Sequence, residues 1–186
     1  MQALKNISYK VLCTLILLMC SDFYSLAKTE QSREFQVKAV FLFNFTQFVD
    51  WPPASFTSSH SNIVIGILGT DPFGSYLEQT IEGEKANGHP LVIRHFTSTD
   101  DIGACHVLFI NVQDKKKLQQ AIASLKGKNI LTVSDDAAIL PSGGMVHFII
   151  KNDKIQLQVN LEAVKAANLT MSSKLLRLVE IYEPEK

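Results

Sequence analysis

The chain has 186 residues, and its 18 Lys and Arg residues balance its 18 Asp and Glu residues, so the formal net charge at pH 7 is zero with neutral histidines. This balance gives no electrostatic reason to expect nucleic acid as a partner, because affinity for a phosphate backbone comes from clustered Lys and Arg. The length suits one domain that can bury a sizeable core.

The first 27 residues have the pattern of a cleavable signal peptide. Lys5 and Lys10 form a cationic front, and an apolar-leaning run over 11–19 follows them. A bilayer span would need roughly 20 apolar residues, and this run has about half that length. Ser25-Leu26-Ala27 puts small residues where a signal peptidase requires them, so we expect export, cleavage after Ala27 and a mature domain over 28–186.

The three cysteines bear on this processing and on disulfides. Cys20 raises an alternative, the lipid attachment site of a lipoprotein, but Met19 stands where such sites have a small residue. Only Cys105 remains after the predicted cleavage, so an internal disulfide cannot form. Because Cys105 lies in an apolar run, we expect it to be buried, and an intermolecular disulfide stays open as the alternative.

The first predicted helix runs from Phe35 to Val49, and Pro52-Pro53 prevents its continuation. Its inward face is expected to carry the apolar residues at helical spacing, which are Val37, Val40, Phe41, Phe45 and Phe48. The stretch FLFNFTQFVDWPP also suggests a membrane anchor or a stacking platform for nucleic acid. Polar residues interrupt the apolar run, which argues against an anchor, and basic residues are missing among the aromatics, which argues against the platform.

Phe43 lies off this stripe, and Trp51 lies beside the double proline. Extra exposed aromatic side chains are surfaces on which protein partners anchor. We therefore expect Phe43 and Trp51 to bind a partner or a second copy in a homodimer. A purely structural role for both residues stays open.

Strand and helix patterns alternate after this helix, which predicts one α/β domain with a mostly parallel mixed sheet and helices on both faces. The predicted strands are Ile63–Leu68, Leu91–Phe96, Cys105–Ile110 and Ile130–Val133, and the helices are Pro72–Ile81 and Asp114–Leu125, with Leu118, Ile122 and Leu125 pointing inward. The connection over Thr97–Ala104 is short for a parallel crossover, so the strand order there stays open.

The C-terminal part predicts an antiparallel hairpin of Met145–Ile150 and Ile155–Val159. The second strand, IQLQV, alternates strictly and is expected at an edge of the sheet with one wet face. Two helices should follow, Leu161–Ala167 and Ser173–Tyr182, capped by Asn160 and Ser172.

Gly69 and Gly74 are spaced like the glycines of a phosphate-binding loop, but Ser75 and Tyr76 stand where such a loop needs Lys and a hydroxyl for the metal ion. Nucleotide hydrolysis is therefore not expected. The turn still follows a strand, where open α/β sheets tend to hold ligands. The candidate small-ligand site consists of Gly69, Asp71, Gly74 and Asp135. The alternative is a tight turn capped by Asp71 and a strand-end loop at Asp135.

No other pattern predicts catalysis or a metal. The five histidines show no i, i+4 pair on a helix and no i, i+2 pair on a strand, and they are His60, His89, His95, His106 and His147. There is no G-x-S-x-G motif, and Cys105 has no recognisable activating context. We expect no enzyme activity, no metal and no cofactor.

Five blocks in order together resemble the YfiR family of exported bacterial proteins over Glu34 to Val179. They are KAVFLFNFTQFVDWP, IGILGTDPFG, CHVLFI, ILTVSD and GGMVHFIIKNDKIQLQVNLEAVKAANLTMSSKLLRL. The positions that match the family's motifs are Phe41, Asn44, Phe45, Trp51, Gly69, Asp71, Gly74, Gly143, Gly144 and Asn160. Most of them are expected to serve the fold.

The resemblance implies a periplasmic, non-enzymatic α/β domain that restrains an inner-membrane diguanylate cyclase by binding its periplasmic part. An outer-membrane lipoprotein relieves the restraint in such systems, so that cyclic-di-GMP and biofilm formation respond to envelope stress. Domains of this family also occur beside sensor kinases. Some relatives carry internal disulfides, which this mature chain cannot form. A periplasmic receptor for a small ligand is the alternative function.

Overall fold

The computed structural model describes residues 33–184. The chain divides into two units, Met1–Phe35 and Gln36–Lys186, and the second is the α/β domain. The predicted signal peptide, its cleavage after Ala27 and the alternative lipid attachment at Cys20 lie outside the described residues.

The elements follow the predicted alternation of strand and helix. The helices are α1 (33–48), α2 (Ser75–Ile81), α3 (Lys115–Leu125), α4 (Leu161–Ala166) and α5 (Ser173–Leu176). The strands are β1 (Val49–Asp50), β2 (Ile63–Gly69), β3 (Lys85–Ala86), β4 (His89–Phe96), β5 (Val107–Asn111), β6 (Leu131–Ser134), β7 (Val146–Lys151), β8 (Lys154–Val159), β9 (Thr170–Met171) and β10 (Val179–Ile181).

Eight strands form one mixed sheet in the order β10-β8-β7-β6-β5-β2-β4-β3, and β1 pairs with β9 in a separate two-stranded sheet. The neighbours from β4 through β7 are parallel, whereas β7 and β8 form the predicted antiparallel hairpin. The predicted fold class is therefore confirmed. The small β1–β9 sheet was not predicted, because strands of two residues carry no periodicity.

The open question over Thr97–Ala104 is settled by the strand order. Strands β4 and β5 lie on either side of β2, and both are parallel to it. The link contains a short 3-10 helix at Thr99–Asp101. An extended chain covers about 3.3 Å per residue, so the link over Thr97–Ala104 is long enough to run back along β2 and to cross it from β4 to β5. Each of these two neighbours lies about 5 Å from β2.

Helices cover both faces of the sheet. On one face, α3 buries Leu118, Ile122 and Leu125, as predicted, in a cluster with Leu108 and Ile110 of β5. Phe109, between those two residues, points to the opposite face because side chains alternate along a strand. There the ring centroid of Phe109 lies 6.4 Å from that of Phe148, which in turn lies 6.3 Å from that of Phe45 on α1.

Helix α1 confirms the first predicted helix, but the face predicted to be buried is wrong. Phe45 is fully buried as expected, whereas Val37 and Val40 are each 46% exposed. The buried residues of α1 are Lys38, Ala39, Leu42, Phe45 and Thr46. The helix ends at residue 48, ahead of the prolines, because Val49 pairs with Met171 of β9.

Two predictions for the C-terminal part are also wrong. Strand β8 is not at the edge of the sheet, because β10 pairs with it in parallel. The last predicted helix, Ser173–Tyr182, is helical only over Ser173–Leu176, and Val179–Ile181 is a strand. The caps are confirmed, since Asn160 Oδ1 accepts a hydrogen bond from Ala163 N at 3.1 Å and Ser172 Oγ accepts one from Leu175 N at 3.3 Å.

Candidate functional site

The turn after β2, where a small-ligand site was predicted, is closed onto the end of β5. Gly69 has φ +95°, and a Cβ at this position would lie 2.2 Å from the carbonyl oxygen of Asn111. Thr70 N donates to Asn111 O at 3.2 Å, and Asn111 Nδ2 donates back to Thr70 O at 2.8 Å. Gly69 is therefore required by the close approach of two strand ends.

Asp71 is also engaged within the chain. Its Oδ1 accepts from Phe73 N at 2.7 Å, and its Oδ2 lies 2.8 Å from His95 Nε2 at the end of β4. Helix α2 starts at Ser75, three residues after the predicted start at Pro72, and Gly74 is its N-cap with φ 54°. Ligand binding by Asp71 and Gly74 remains a prediction, and their contacts within the chain support the alternative of a capped turn.

Asp135 follows β6, which is separated from β2 by β5, so it does not join the turn at Gly69 directly. Its Oδ1 lies 2.7 Å from Nζ of Lys38, a side chain that is 3% exposed. The Lys38 ammonium also lies 5.7 Å from the centroid of the Phe148 ring. This ion pair connects α1 to the carboxyl end of the sheet, and ligand binding by Asp135 remains a prediction.

The two residues predicted to bind a partner differ in exposure. The expectation that Trp51 is exposed is wrong, because it is only 9% exposed and its Nε1 donates to His106 O at 3.2 Å. Phe43 is half-buried on α1. Partner binding at both positions remains a prediction, but in the folded domain only Phe43 offers an appreciable surface.

Trp51 belongs to an aromatic cluster at the amino end of the central strands. The ring of Phe56 stacks on His89 at 4.4 Å and on His106 at 4.9 Å, and Trp51 packs edge-on against His106 at 5.7 Å. His106 Nδ1 accepts from Val64 N at 3.1 Å, which fixes a neutral ring with the proton on Nε2. No local sequence pattern predicted this cluster, since its members are far apart along the chain.

The environment of His106 opposes its protonation. The pKa of His106 is lowered to about 4, chiefly because the ring is buried, while the Ser55 backbone opposes this shift and the charge of His89 adds to it. Nε2 has no hydrogen bond of good geometry among residues 33–184. The same end of the sheet holds Cys105, whose predicted burial is confirmed and whose pKa is raised by that burial to about 12. A thiol with this pKa is a poor nucleophile at neutral pH.

A groove of about 470 Å³ lies away from the predicted ligand site. Its walls are the C-terminal turns of α3, the loop at Ser142–Gly143 and helix α4, and its floor includes Thr132 and Met145. Ala163 and Ala166 line the groove on the α4 side, where their small side chains leave space. Sequence reasoning missed this groove because three distant segments create it.

Within the described part of the chain, no group of three or more His, Cys, Asp or Glu side chains could hold a metal ion. None of the helices over residues 33–184 is long and apolar enough to cross a bilayer. In the part of the chain that the structure describes, the large exposed apolar side chains are Val37 and Val40 on α1 and Ile150, Leu178 and Ile181 at the β7–β10 side of the sheet.

The family of this chain is shown by its match to a family model. A model of the family described as YfiR/HmsC-like matches residues 35–180. The chain belongs to the YfiR/HmsC-like family. This family is periplasmic, regulatory and non-catalytic, and it acts in cyclic-di-GMP signalling.

One solved structure with limited similarity to this YfiR/HmsC-like chain is "The Crystal Structure of the ABC domain in complex with L-Trp from Streptococcus pneumonia to 1.35A". The identity is 11% and the TM-score 0.46, with 64% of this chain and 55% of that chain covered. The chain thus spans little more than half the length of that protein, and the likeness carries no argument about fold or function.

Several positions that carry the YfiR/HmsC-like pattern have structural roles. Phe45 is fully buried, and Asn160 caps α4. A Cβ at Gly144 would lie 2.3 Å from Ile139 Cγ1, so this glycine permits the close packing of the loop before β7. These contacts fit the expectation that most motif positions serve the fold.

Proposed function

We propose that this chain restrains an inner-membrane signalling protein, a diguanylate cyclase or a sensor kinase, by binding its periplasmic part. The observation that carries the proposal is the YfiR/HmsC-like match over residues 35–180, which spans nearly all of the described domain. In this proposal the bound state keeps the output low, and an outer-membrane lipoprotein relieves the restraint by capturing the chain.

The surface of α1 supports a role in binding. Val37 and Val40 each remain 46% exposed, and half-buried Phe43 lies on the same helix. Exposed apolar side chains that a domain's own core does not use are typical of surfaces that contact other proteins.

Deletion and complementation in the bacterium that carries the chain test the proposal. Deleting the gene should raise cellular cyclic-di-GMP if the partner is a cyclase, or the phosphorylation output if it is a kinase. The full-length chain should restore the low output, whereas residues 28–186 without the leader should not, because they would stay in the cytoplasm. Unchanged output after deletion, or rescue by the leaderless form, would contradict the proposal.

A second candidate function is that of a periplasmic small-ligand receptor, and the groove of about 470 Å³ favours it. A thermal-shift screen of metabolites on residues 28–186 tests it, because a ligand at about one hundred times its dissociation constant adds about 2.7 kcal/mol of stability. Ala163→Leu, which narrows the groove, should abolish a shift caused by binding there. Lys165→Leu, on α4 but outside the groove, is the matched control, and equal shifts in both variants would exclude the groove.

A further inference from the structure

Within residues 33–184, strand β10 leaves one edge of the large sheet unpaired. Among these residues it pairs only with β8, in the parallel register Val179 to Leu157 and Ile181 to Val159. Tyr182 N donates to Val159 O at 2.8 Å, so the backbone N–H of Tyr182 points toward β8. Successive residues of a strand direct their backbone groups to opposite sides. The N–H and C=O of Glu180 therefore also point toward β8, whereas those of Val179 and Ile181 point away from the sheet.

Apolar side chains flank this free edge. Ile181 is 45% exposed and Leu178, just before the strand, is 73% exposed. Ile150 is 62% exposed, and its pairing with Ile155 puts it on the same face of the sheet as Ile181. The free backbone groups and the exposed apolar side chains therefore occur together at one corner of the domain, as in sheets that accept an added strand.

Glu180, in the middle of β10, carries the charge at this edge. Its side chain lies on the other face, where Oε1 accepts a hydrogen bond from Lys151 Nζ at 2.6 Å. In an antiparallel pairing of two copies that uses both Val179 and Ile181 of each, Glu180 would stand opposite Glu180 of the second copy. Like charges directly opposite each other destabilise a strand pair, so the edge disfavours its own copy.

A basic residue opposite Glu180 would instead form a favourable cross-strand pair of opposite charge with it. We propose that the free edge of β10 binds an extended segment of a different protein, which adds a strand to the sheet and places a Lys or Arg between apolar residues opposite Glu180. The inference rests on the proposed function, because the segment belongs to the periplasmic part of the membrane partner.

The test measures the affinity of residues 28–186 for the purified periplasmic segment of the cyclase or kinase encoded beside this chain, by calorimetric titration. Ile181→Pro removes the outward N–H and keeps the bond from Tyr182 N to β8. It should weaken binding about tenfold or more, through one lost hydrogen bond and an unpaired acceptor. The matched control Ile181→Val keeps the N–H and should bind like the wild type.

A second pair of variants keeps the test decisive should Ile181→Pro fail to fold. Glu180→Lys should weaken binding about tenfold through charge repulsion. Glu183→Lys makes the same charge change beyond the strand and should leave the affinity unchanged.

If Ile181→Pro and Glu180→Lys both bind the partner segment with the affinity of the wild type, the assignment of the edge is overturned and the proposed function stays intact. No binding by the wild type would overturn the proposed function itself. Sedimentation of residues 28–186 alone should give the same oligomeric state for the wild type and for Ile181→Pro, whereas a dimer that Ile181→Pro dissociates would show that a second copy occupies the edge and would overturn the assignment.

Discussion

Replacing Gly69 by Ala tests whether this glycine is needed for the fold or for a ligand. Gly69 has φ +95°, and the added Cβ would lie 2.2 Å from Asn111 O and 3.0 Å from Asn111 C. The neighbouring atoms belong to the backbone of β5, so they cannot move aside as a flexible side chain would. The ends of β2 and β5 must separate.

The cost follows from the contacts that this separation breaks. A left-handed conformation costs an L-residue about 1–2 kcal/mol. The hydrogen bonds between Thr70 and Asn111, at 3.2 and 2.8 Å, would also be lost or weakened, each worth about 1 kcal/mol. We expect Gly69→Ala to lower the free energy of unfolding by about 3–4 kcal/mol and Tm by about 10 °C.

Urea and thermal unfolding of residues 28–186 give both quantities. Gly88→Ala is the matched control, because Gly88 has φ +87° and no atom lies within 4 Å of the added Cβ. It should lose only the conformational term of about 1–2 kcal/mol. Equal losses in the two variants would refute the close approach of Asn111 as the reason for Gly69.

Three further predictions concern the aromatic cluster and the leader. Burial holds the pKa of His106 at about 4, so the unfolded chain binds the proton more readily and the folded state loses about 3 kcal/mol as the pH falls from 6.5 to 4. Urea midpoints of His106→Gln should vary less with pH over this window, and an unchanged pH dependence would contradict the assignment. Trp51→Phe should cost about 2 kcal/mol, through lost buried volume and the bond to His106 O, while Phe43→Leu should cost less than about 1 kcal/mol. Similar unfolding energies for these two variants would argue against the burial of Trp51. Mass spectrometry of the periplasmic protein should show an N-terminus at Lys28, and a protein that retains Met1 would disprove the cleavage.

The helical periodicity of α1 predicted the helix but not its orientation. Apolar residues occur all round this helix, so spacing alone does not select a face. The buried face includes Thr46, whose Oγ1 donates to Phe43 O at 2.6 Å, and Lys38, which pairs with Asp135. Because they have these partners, Lys38 and Thr46 can be buried without leaving a polar group unpaired. The partner of Lys38, Asp135, is distant along the chain, so the local sequence does not reveal it.

The strand β10 illustrates a second limit of sequence reasoning. The segment after Ser172 starts as a helix, as its cap predicts, but pairing with β8 turns Val179–Ile181 into a strand. This pairing also moves β8 away from the edge at which its alternation had placed it. Tertiary contacts override local propensity here.

Among the candidate site residues, Gly69 shows what a local motif can and cannot reveal. The glycine spacing marked a special backbone turn, and the structure has one. The physical reason is the carbonyl of Asn111, which lies on a strand that follows two further strands along the chain. The groove beside α4 and the stack at His106 also join distant segments, so neither had a local signal.

The central claim, that the chain acts by restraining a membrane partner, is tested most directly with purified components. The measurement is the rate of cyclic-di-GMP synthesis by the full-length membrane cyclase in detergent, or of autophosphorylation by the kinase, as residues 28–186 are added. We predict that the rate falls with a saturable dependence on their concentration. A rate that stays constant at saturating concentration would contradict the account.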